Sequence, residues 1–416
     1  MTSMLTEPPQ ATAADVIRPF RFRASDDALA DLRRRIRATR FPEKETVMDQ
    51  SQGVPLATIQ AVAHYWATEY DWRNVEARMN AWPHFLTNID GLDIHFIHVR
   101  SRHPNALPVI ITHGWPGSII EQMKIIDPLT HPTAFGGSAA DAFDVVIPSL
   151  PGYGFSGKPA TTGWGPERIA RAWGVLMKRL GYARYVAQGG DWGALIVEVM
   201  GLQAPNELLA IHTSTPAVVP PDVDRAALAG APAPPDLSTE ERSAYDQLAV
   251  FYKHVYYAFH MASRPQTLTG LADSPVFLAS FMIDHDPGSL ALIARSFDGE
   301  REGLTRDDIL DNITLFWLTN TGVSSARIHR ENTAGFFSPR NVTIPVAVSA
   351  FPDELYQAPR TWAERAYPNL IYYNRLAKGG HFAAWEQPEL FTQELRAAFQ
   401  SLRSNERAQR EFAQAV

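Results

Sequence analysis

Gly189-Gly190-Asp191-Trp192-Gly193 is the stretch from which the fold of this chain can be read. The residues before it predict a helix and then a strand. Pro166 suits the start of that helix and Gly181 its end. Between them Ile169, Trp173, Leu176, Met177 and Leu180 recur at spacings of three and four, so they share one buried face. Tyr185 to Gln188 reads as a short strand, and the apolar run Ala194 to Met200 as a helix buried under a sheet. Small residues at 189 and 193 let the backbone turn sharply and the two elements pack closely, which lifts the side chain at 191 clear of the turn. An aspartate after glycines also serves as a turn former or helix cap. The weight of the reading therefore rests on what the rest of the chain supplies.

Three further segments supply it. His113-Gly114-Trp115-Pro116-Gly117-Ser118 follows the apolar strand Pro108 to Thr112, and a glycine-rich turn at the carboxyl end of a strand can aim backbone N–H groups into a pocket. The N–H groups of Trp115 and of Trp192, next after Asp191, are the expected oxyanion donors. Thr343 to Ala350 reads as a β-branched strand followed by Phe351-Pro352-Asp353-Glu354-Leu355, and Asn369 to Tyr373 as a strand before Gly379-Gly380-His381-Phe382. Nucleophile, acid and histidine thus come in the order of the α/β-hydrolase fold. Of 13 histidines, His381 is the one in the expected final position. On spacing alone either Asp353 or Glu354 can orient it.

An aspartate in the place of a nucleophilic serine changes the chemistry. A carboxylate is ionised at neutral pH and needs no base to attack. Asp191 is expected to displace a leaving group at an sp3 carbon, an epoxide C–O or a C–halogen bond, and to form an alkyl ester. His381 would then activate water against the ester carbonyl, with the oxyanion held by the two N–H groups, so the hole serves the second half-reaction.

With HGWPGS, SLPGYGFS (Ser149 to Ser156), GGDWG, the FPxE pattern ending at Glu354 and GGHFAAWEQPEL (Gly379 to Leu390), the chain resembles the epoxide hydrolases of the microsomal type, within the α/β-hydrolase superfamily. The resemblance covers nearly the whole chain, including Pro19-Phe20 and Leu32-Arg33-Arg34-Arg35-Ile36 to Arg40-Phe41-Pro42 of an amino-terminal extension. It implies Asp191 as nucleophile, His381 as base and Glu354, rather than Asp353, as orienting acid. It also implies two lid tyrosines that donate hydrogen bonds to the opening ring. Tyr257 matches the first, with Tyr256 beside it as the alternative. The position of the second holds His329, which can still donate from a ring nitrogen. An aspartyl-ester haloalkane dehalogenase is the competing reading, since that family commonly has a tryptophan after its nucleophile. A catalytically silent pocket protein is the third, and only His329 recommends it.

Composition sets outer bounds. At 416 residues, 45% hydrophobic and 20% charged, the chain has material for a large core. A net charge of −7, from 38 basic and 45 acidic residues, argues against a general nucleic-acid partner. Cysteine is absent, so disulfides, thiolate catalysis and cysteine zinc sites are excluded. His95 and His98 are three apart on a predicted strand and face opposite sides, so no metal or other cofactor is expected. Met1 to Asp15 lacks a basic start and apolar core, and no run reaches the roughly 18 to 20 apolar residues of a span. A cytoplasmic enzyme acting on a small apolar epoxide and water, without a membrane partner, is expected, and the extension leaves a homodimer open. The organisation expected is a disordered tail (1–16), an N-terminal extension (17–130) overlapping the first core strands from about 90, a first core part (90–215), a hinge and helical lid (216–335), a second core part (336–403) and a C-terminal tail (404–416).

Overall fold

The computed structural model describes residues 16–300 and 303–403, so the expected tail at 1–16, all but its last residue, and the expected tail at 404–416 lie outside the described residues. Among those residues nine strands form one sheet: β1 (Arg18–Phe20), β2 (His84–Ile89), β3 (Leu92–Val99), β4 (Leu107–Thr112), β5 (Phe143–Pro148), β6 (Tyr185–Gly189), β7 (Leu208–Thr213), β8 (Val346–Ala350) and β9 (Leu370–Arg375). Their order is β1-β2-β3-β5-β4-β6-β7-β8-β9. The hairpin edge β1-β2-β3 joins β5 antiparallel, and from β5 to β9 every pairing is parallel. The strand order reverses at β5-β4-β6, so the loops leaving the carboxyl ends of β4 and β6 diverge around a crevice, where open α/β sheets carry their sites. The central strands read Val109-Ile110-Ile111 and Val145-Val146-Ile147, apolar on both faces because helices cover both, and all six residues are fully buried.

The predicted helix is Pro166–Arg179, followed by Gly181 at φ +82°, a backbone conformation that glycine adopts without strain. β8 begins at Val346, three residues later than its β-branched run, because Pro345 has no N–H to offer a ladder; its carbonyl still accepts from Ile211 at 3.0 Å. The start of the expected hinge and lid contains a two-turn helix, Pro221–Leu228, with Pro221 in the first turn where its missing N–H leaves no bond unmade. Among the described residues, helices of eight residues or more then follow between β7 and β8: Thr239–His254, Tyr256–Ser263, Pro275–Ile283, Pro287–Phe297, Arg306–Thr319 and Gly322–Glu331.

The N-terminal helices Asp26–Arg37, Leu56–Thr68 and Trp72–Met79 brace this lid. Trp66 Nε1–H donates to Thr314 at 2.9 Å and Tyr70 O–H to Asp311 at 2.9 Å, both on Arg306–Thr319. Arg78 pairs with the same Asp311. That lid helix is bonded in turn to the Trp115 loop: Asn312 Nδ2 donates to Pro116 O and Ser118 Oγ to Asn312 Oδ1, each at 2.7 Å. No described helix is long and apolar enough to cross a membrane.

Candidate active site

β6 ends at Gly189, and the helix Trp192–Gln203 starts two residues later. Asp191 between them takes φ +50° and ψ −126°, a strained conformation for a residue with a Cβ, held by the packing on either side. That packing explains the glycines: a Cβ on Gly189 would lie 2.1 Å from Gly193 O, and one on Gly193 2.0 Å from Thr112 O at the end of β4. The elbow delivers the Asp191 carboxylate into the crevice, where Oδ1 accepts from Trp115 N–H at 2.6 Å. The Trp192 N–H faces the same carboxylate and favours its charged form.

His381 arrives from the loop after β9, with Nε2 3.8 Å from Asp191 Oδ2 and Nδ1 2.5 Å from Glu354 Oε1. Asp353 is exposed and meets Gly380 only as a backbone bridge, so of the two adjacent carboxylates the fold brings Glu354 to the imidazole. Glu354 is fixed by the Leu355 N–H at 2.8 Å and by Thr215 Oγ1–H at 2.6 Å. Thr215 Oγ1 also accepts the Asp191 N–H at 3.0 Å, which ties the elbow and the acid to one hydroxyl. Sequence reasoning missed Thr215, because a threonine in a loop after a strand carries no signal of its own.

Of the two lid tyrosines, Tyr257 stacks on Trp115 with centroids 4.7 Å apart, while Tyr256 is 71% exposed. Burial, and then the Asp191 charge, push the Tyr257 phenol well above its ordinary value, so it stays an O–H. His329 also reaches the site, 4.8 Å from the Trp192 ring by centroid. Its Nε2 accepts the Trp192 indole N–H at 3.3 Å, and burial pushes it down to about 3, so the ring is neutral and its one N–H is on Nδ1. The imidazolium that would make His329 a stronger acid than a phenol is therefore not populated at neutral pH.

Asp191 separates two cavities. One of about 330 Å³ lies beneath the lid and is lined by Tyr257, Phe251, Tyr252, Phe336, Phe337 and His329 among others. The other, of only about 20 Å³, is polar on its Glu121, Gln122 and His381 side. Glu121 carries no motif of its own in the sequence. A Cβ on Gly117 would fall 1.9 Å from its Oε2, so the glycine admits that buried carboxyl, and burial pushes it up to about 8.

Burial also pushes Asp191 above the ordinary carboxylate range, against the His381 imidazolium and the Trp115 and Trp192 N–H groups, which hold it down. Burial disfavours the His381 imidazolium, yet Glu354, Asp191 and Asp286 together lift His381 to about 10. His285 is the largest surprise. It comes from Asp284-His285-Asp286 in the lid, a stretch with no motif, and its ring centroid is 4.4 Å from that of His381. Ligand-type atoms of Asp191, His285 and His381 lie within 4.8 Å of one another, the one such group among the described residues. Asp191 and His381 already have protein partners in Trp115 and Glu354, so the cluster reads as an acid–base centre. His95 and His98 do diverge: His95 bonds His84 and Ser149 in the core at 2.8 and 2.9 Å, and His98 bonds Tyr182 at 2.8 Å.

Comparison with known proteins gives the family. Residues 17–122 match the epoxide hydrolase N terminus family and residues 108–247 the alpha/beta hydrolase fold. A Stigmatella aurantiaca protein named as an epoxide hydrolase candidate is 49% identical over 93% of this chain and 86% of its own. Epoxide hydrolase 1 of Oryctolagus cuniculus is 35% identical over 91% and 88%. The crystal structure of juvenile hormone epoxide hydrolase from Bombyx mori superposes with a TM-score of 0.81 at 28% identity, covering 94% of this chain and 96% of that one. The Aspergillus niger epoxide hydrolase structure gives 0.79 at 29%, covering 94% and 97%.

Proposed function

This chain belongs to the epoxide hydrolase family, and from that premise we propose that Asp191 opens an apolar epoxide and that His381, oriented by Glu354, hydrolyses the resulting ester to a vicinal diol. The observation that carries the residue assignment is the position of the Asp191 carboxylate. One oxygen lies 2.6 Å from the Trp115 N–H, and the other faces His381 Nε2 at 3.8 Å.

Asp191 attacks an epoxide carbon as the ring C–O bond breaks, and the electron pair leaves with oxygen. Tyr257 supplies the proton. Burial keeps its phenol an O–H, which suits donation to an alkoxide, whereas the Nδ1–H of His329 has the Ala326 carbonyl of its own helix as its neighbour. His381 then takes a proton from water, and the water oxygen attacks Asp191 Cγ. The tetrahedral oxyanion rests on the Trp115 and Trp192 N–H groups, which are in place before reaction and cost no reorganisation. Ester formation also erases the Asp191 charge, one of those that hold His381 up to about 10. The imidazole thereby loses one of the charges that favour its protonated form when water must be activated.

Epoxide chemistry is favoured over dehalogenation because the Trp192 indole N–H, the donor a departing halide would need beside the nucleophile, is engaged with His329 Nε2. The aromatic lining of the larger cavity supports an apolar substrate. Asp191→Asn should abolish turnover. His381→Gln incubated with styrene oxide should accumulate an adduct of the mass of the whole epoxide, mapped to Asp191 by peptide mass spectrometry. Normal turnover in either variant would remove these assignments, and an adduct with haloalkanes alone would move the reading to dehalogenation.

A further inference from the structure

His285 lies in the turn between the lid helices Pro275–Ile283 and Pro287–Phe297, and the reaction above makes no use of it. It is 1% exposed. Its ring is enclosed by His381, Tyr257 and Trp115, with centroids at 4.4, 5.1 and 5.8 Å. Nδ1 is 2.9 Å from Asp286 Oδ2, and the other Asp286 oxygen caps the second helix by accepting the Ser289 N–H at 2.9 Å. A carboxylate only accepts, so Nδ1 carries a proton and Nε2 of the neutral ring offers a lone pair. The arrangement duplicates His381 with Glu354: two histidines side by side, each anchored by a carboxylate at Nδ1.

His285 Nε2 is buried and meets no protein partner among the described residues. Native structures rarely leave such an atom unpaired without a functional reason. One ring nitrogen of His285, one of His381 and a carboxylate oxygen of Asp191 lie within 4.8 Å of one another, so an oxygen among them can stand at about 2.8 Å from each, an ordinary hydrogen-bond length. Zinc, with bonds of about 2.0–2.1 Å, would require the 3.8 Å gap between Asp191 Oδ2 and His381 Nε2 to contract toward tetrahedral spacing. The spacing suits a water oxygen better.

We propose that His285 is a catalytic residue of the ester-hydrolysing half-reaction, its Nε2 and that of His381 each accepting one O–H of the attacking water. With both O–H bonds engaged, the remaining lone pair of the water is turned to Asp191 Cγ. The step rests on the assignment of Asp191 as the esterified nucleophile. The water oxygen bonds to Cγ, His381 takes one proton, and the carbonyl electron pair moves to the oxyanion. On collapse the ester C–O bond breaks, and the departing product oxygen keeps the pair and takes the proton from His381. The second water proton stays on the new Asp191 carboxyl group and leaves through His285, restoring the proton that Tyr257 gave up during ring opening.

His285→Phe keeps an aromatic ring in the cluster and removes both nitrogens. In rapid-quench experiments with styrene oxide read by intact mass, its alkylation rate should stay within about threefold of wild type. Ester hydrolysis should slow roughly 10- to 100-fold, at the low end of general-base effects, so that alkyl-enzyme dominates the steady state. Asp286→Asn, which retains a cap acceptor for Ser289, should show the same division between half-reactions in milder form. His285→Gln, which restores an acceptor oxygen, should recover part of the hydrolysis rate. Unchanged ester hydrolysis in His285→Phe and Asp286→Asn, or a loss confined to alkylation, would overturn the proposal. An adduct in His381→Gln establishes the Asp191 assignment independently, so its absence there would reject that assignment instead.

Discussion

Residue identity at the site was legible wherever a residue type is forced by its chemistry. Asp191 needs a turn that tolerates φ +50°, and the glycines at 189 and 193 announce such a turn. The choice between Asp353 and Glu354 was not legible from spacing, because adjacent residues in a loop point to different places and only the fold decides which one meets His381. Glu354 meets it at 2.5 Å, whereas Asp353 faces solvent. Glu354→Gln should therefore lower kcat by about 10²-fold or more, while Asp353→Asn stays near wild type. The pH profile supplies a second check. Glu354 raises His381, so its loss lowers the imidazole pKa, and the acid limb of kcat should move to lower pH. Equal effects of the two substitutions would reject the distinction. His285 carried no signal at all, since a histidine between two aspartates reads as a solvated turn until two helices fold it against His381.

Elements were predicted best where one period repeated without interruption, as in Pro166–Arg179, and worst where proline punctuates, as in Pro221–Leu228 and before β8. The oxyanion loop shows why an element's neighbours matter. Nothing local holds Trp115 N–H on Asp191; the loop is pinned by Asn312, 4% exposed on the lid helix Arg306–Thr319. Asn312→Leu would leave the Pro116 carbonyl and the Ser118 hydroxyl without that partner in a buried place. The expected cost is about 1–3 kcal/mol in urea unfolding, since each group loses its hydrogen bond without regaining water. A fall in kcat should accompany it as the Trp115 N–H loosens. Wild-type stability in the variant would show that the lid and the loop are independent.

At the scale of the whole molecule, the site is a place where charge is concentrated inside an apolar body, and this links stability to pH. His381 is lifted from an ordinary value of 6.5 to about 10 in the folded protein. Its contribution to stability is therefore fully present below pH 6.5 and is lost as pH rises through about 10. The thermal midpoint of wild type should fall over that window, and His381→Gln should flatten the decline; an unchanged decline would show that the imidazolium does not support the fold. The sequence by itself determined the architecture and the reaction class, because strand periodicity, glycines at close approaches and a carboxylate at the elbow are each compelled by local sterics and chemistry. Tertiary structure alone decided which carboxylate faces His381, that Trp192 gives its indole N–H to His329, that Asp191 stands between an apolar and a polar cavity, and that His285 completes the cluster. Those are meetings of residues as many as 190 positions apart, Asp191 and His381 among them, and a contact at such a distance depends on how the helices and sheet pack rather than on any pattern within one segment.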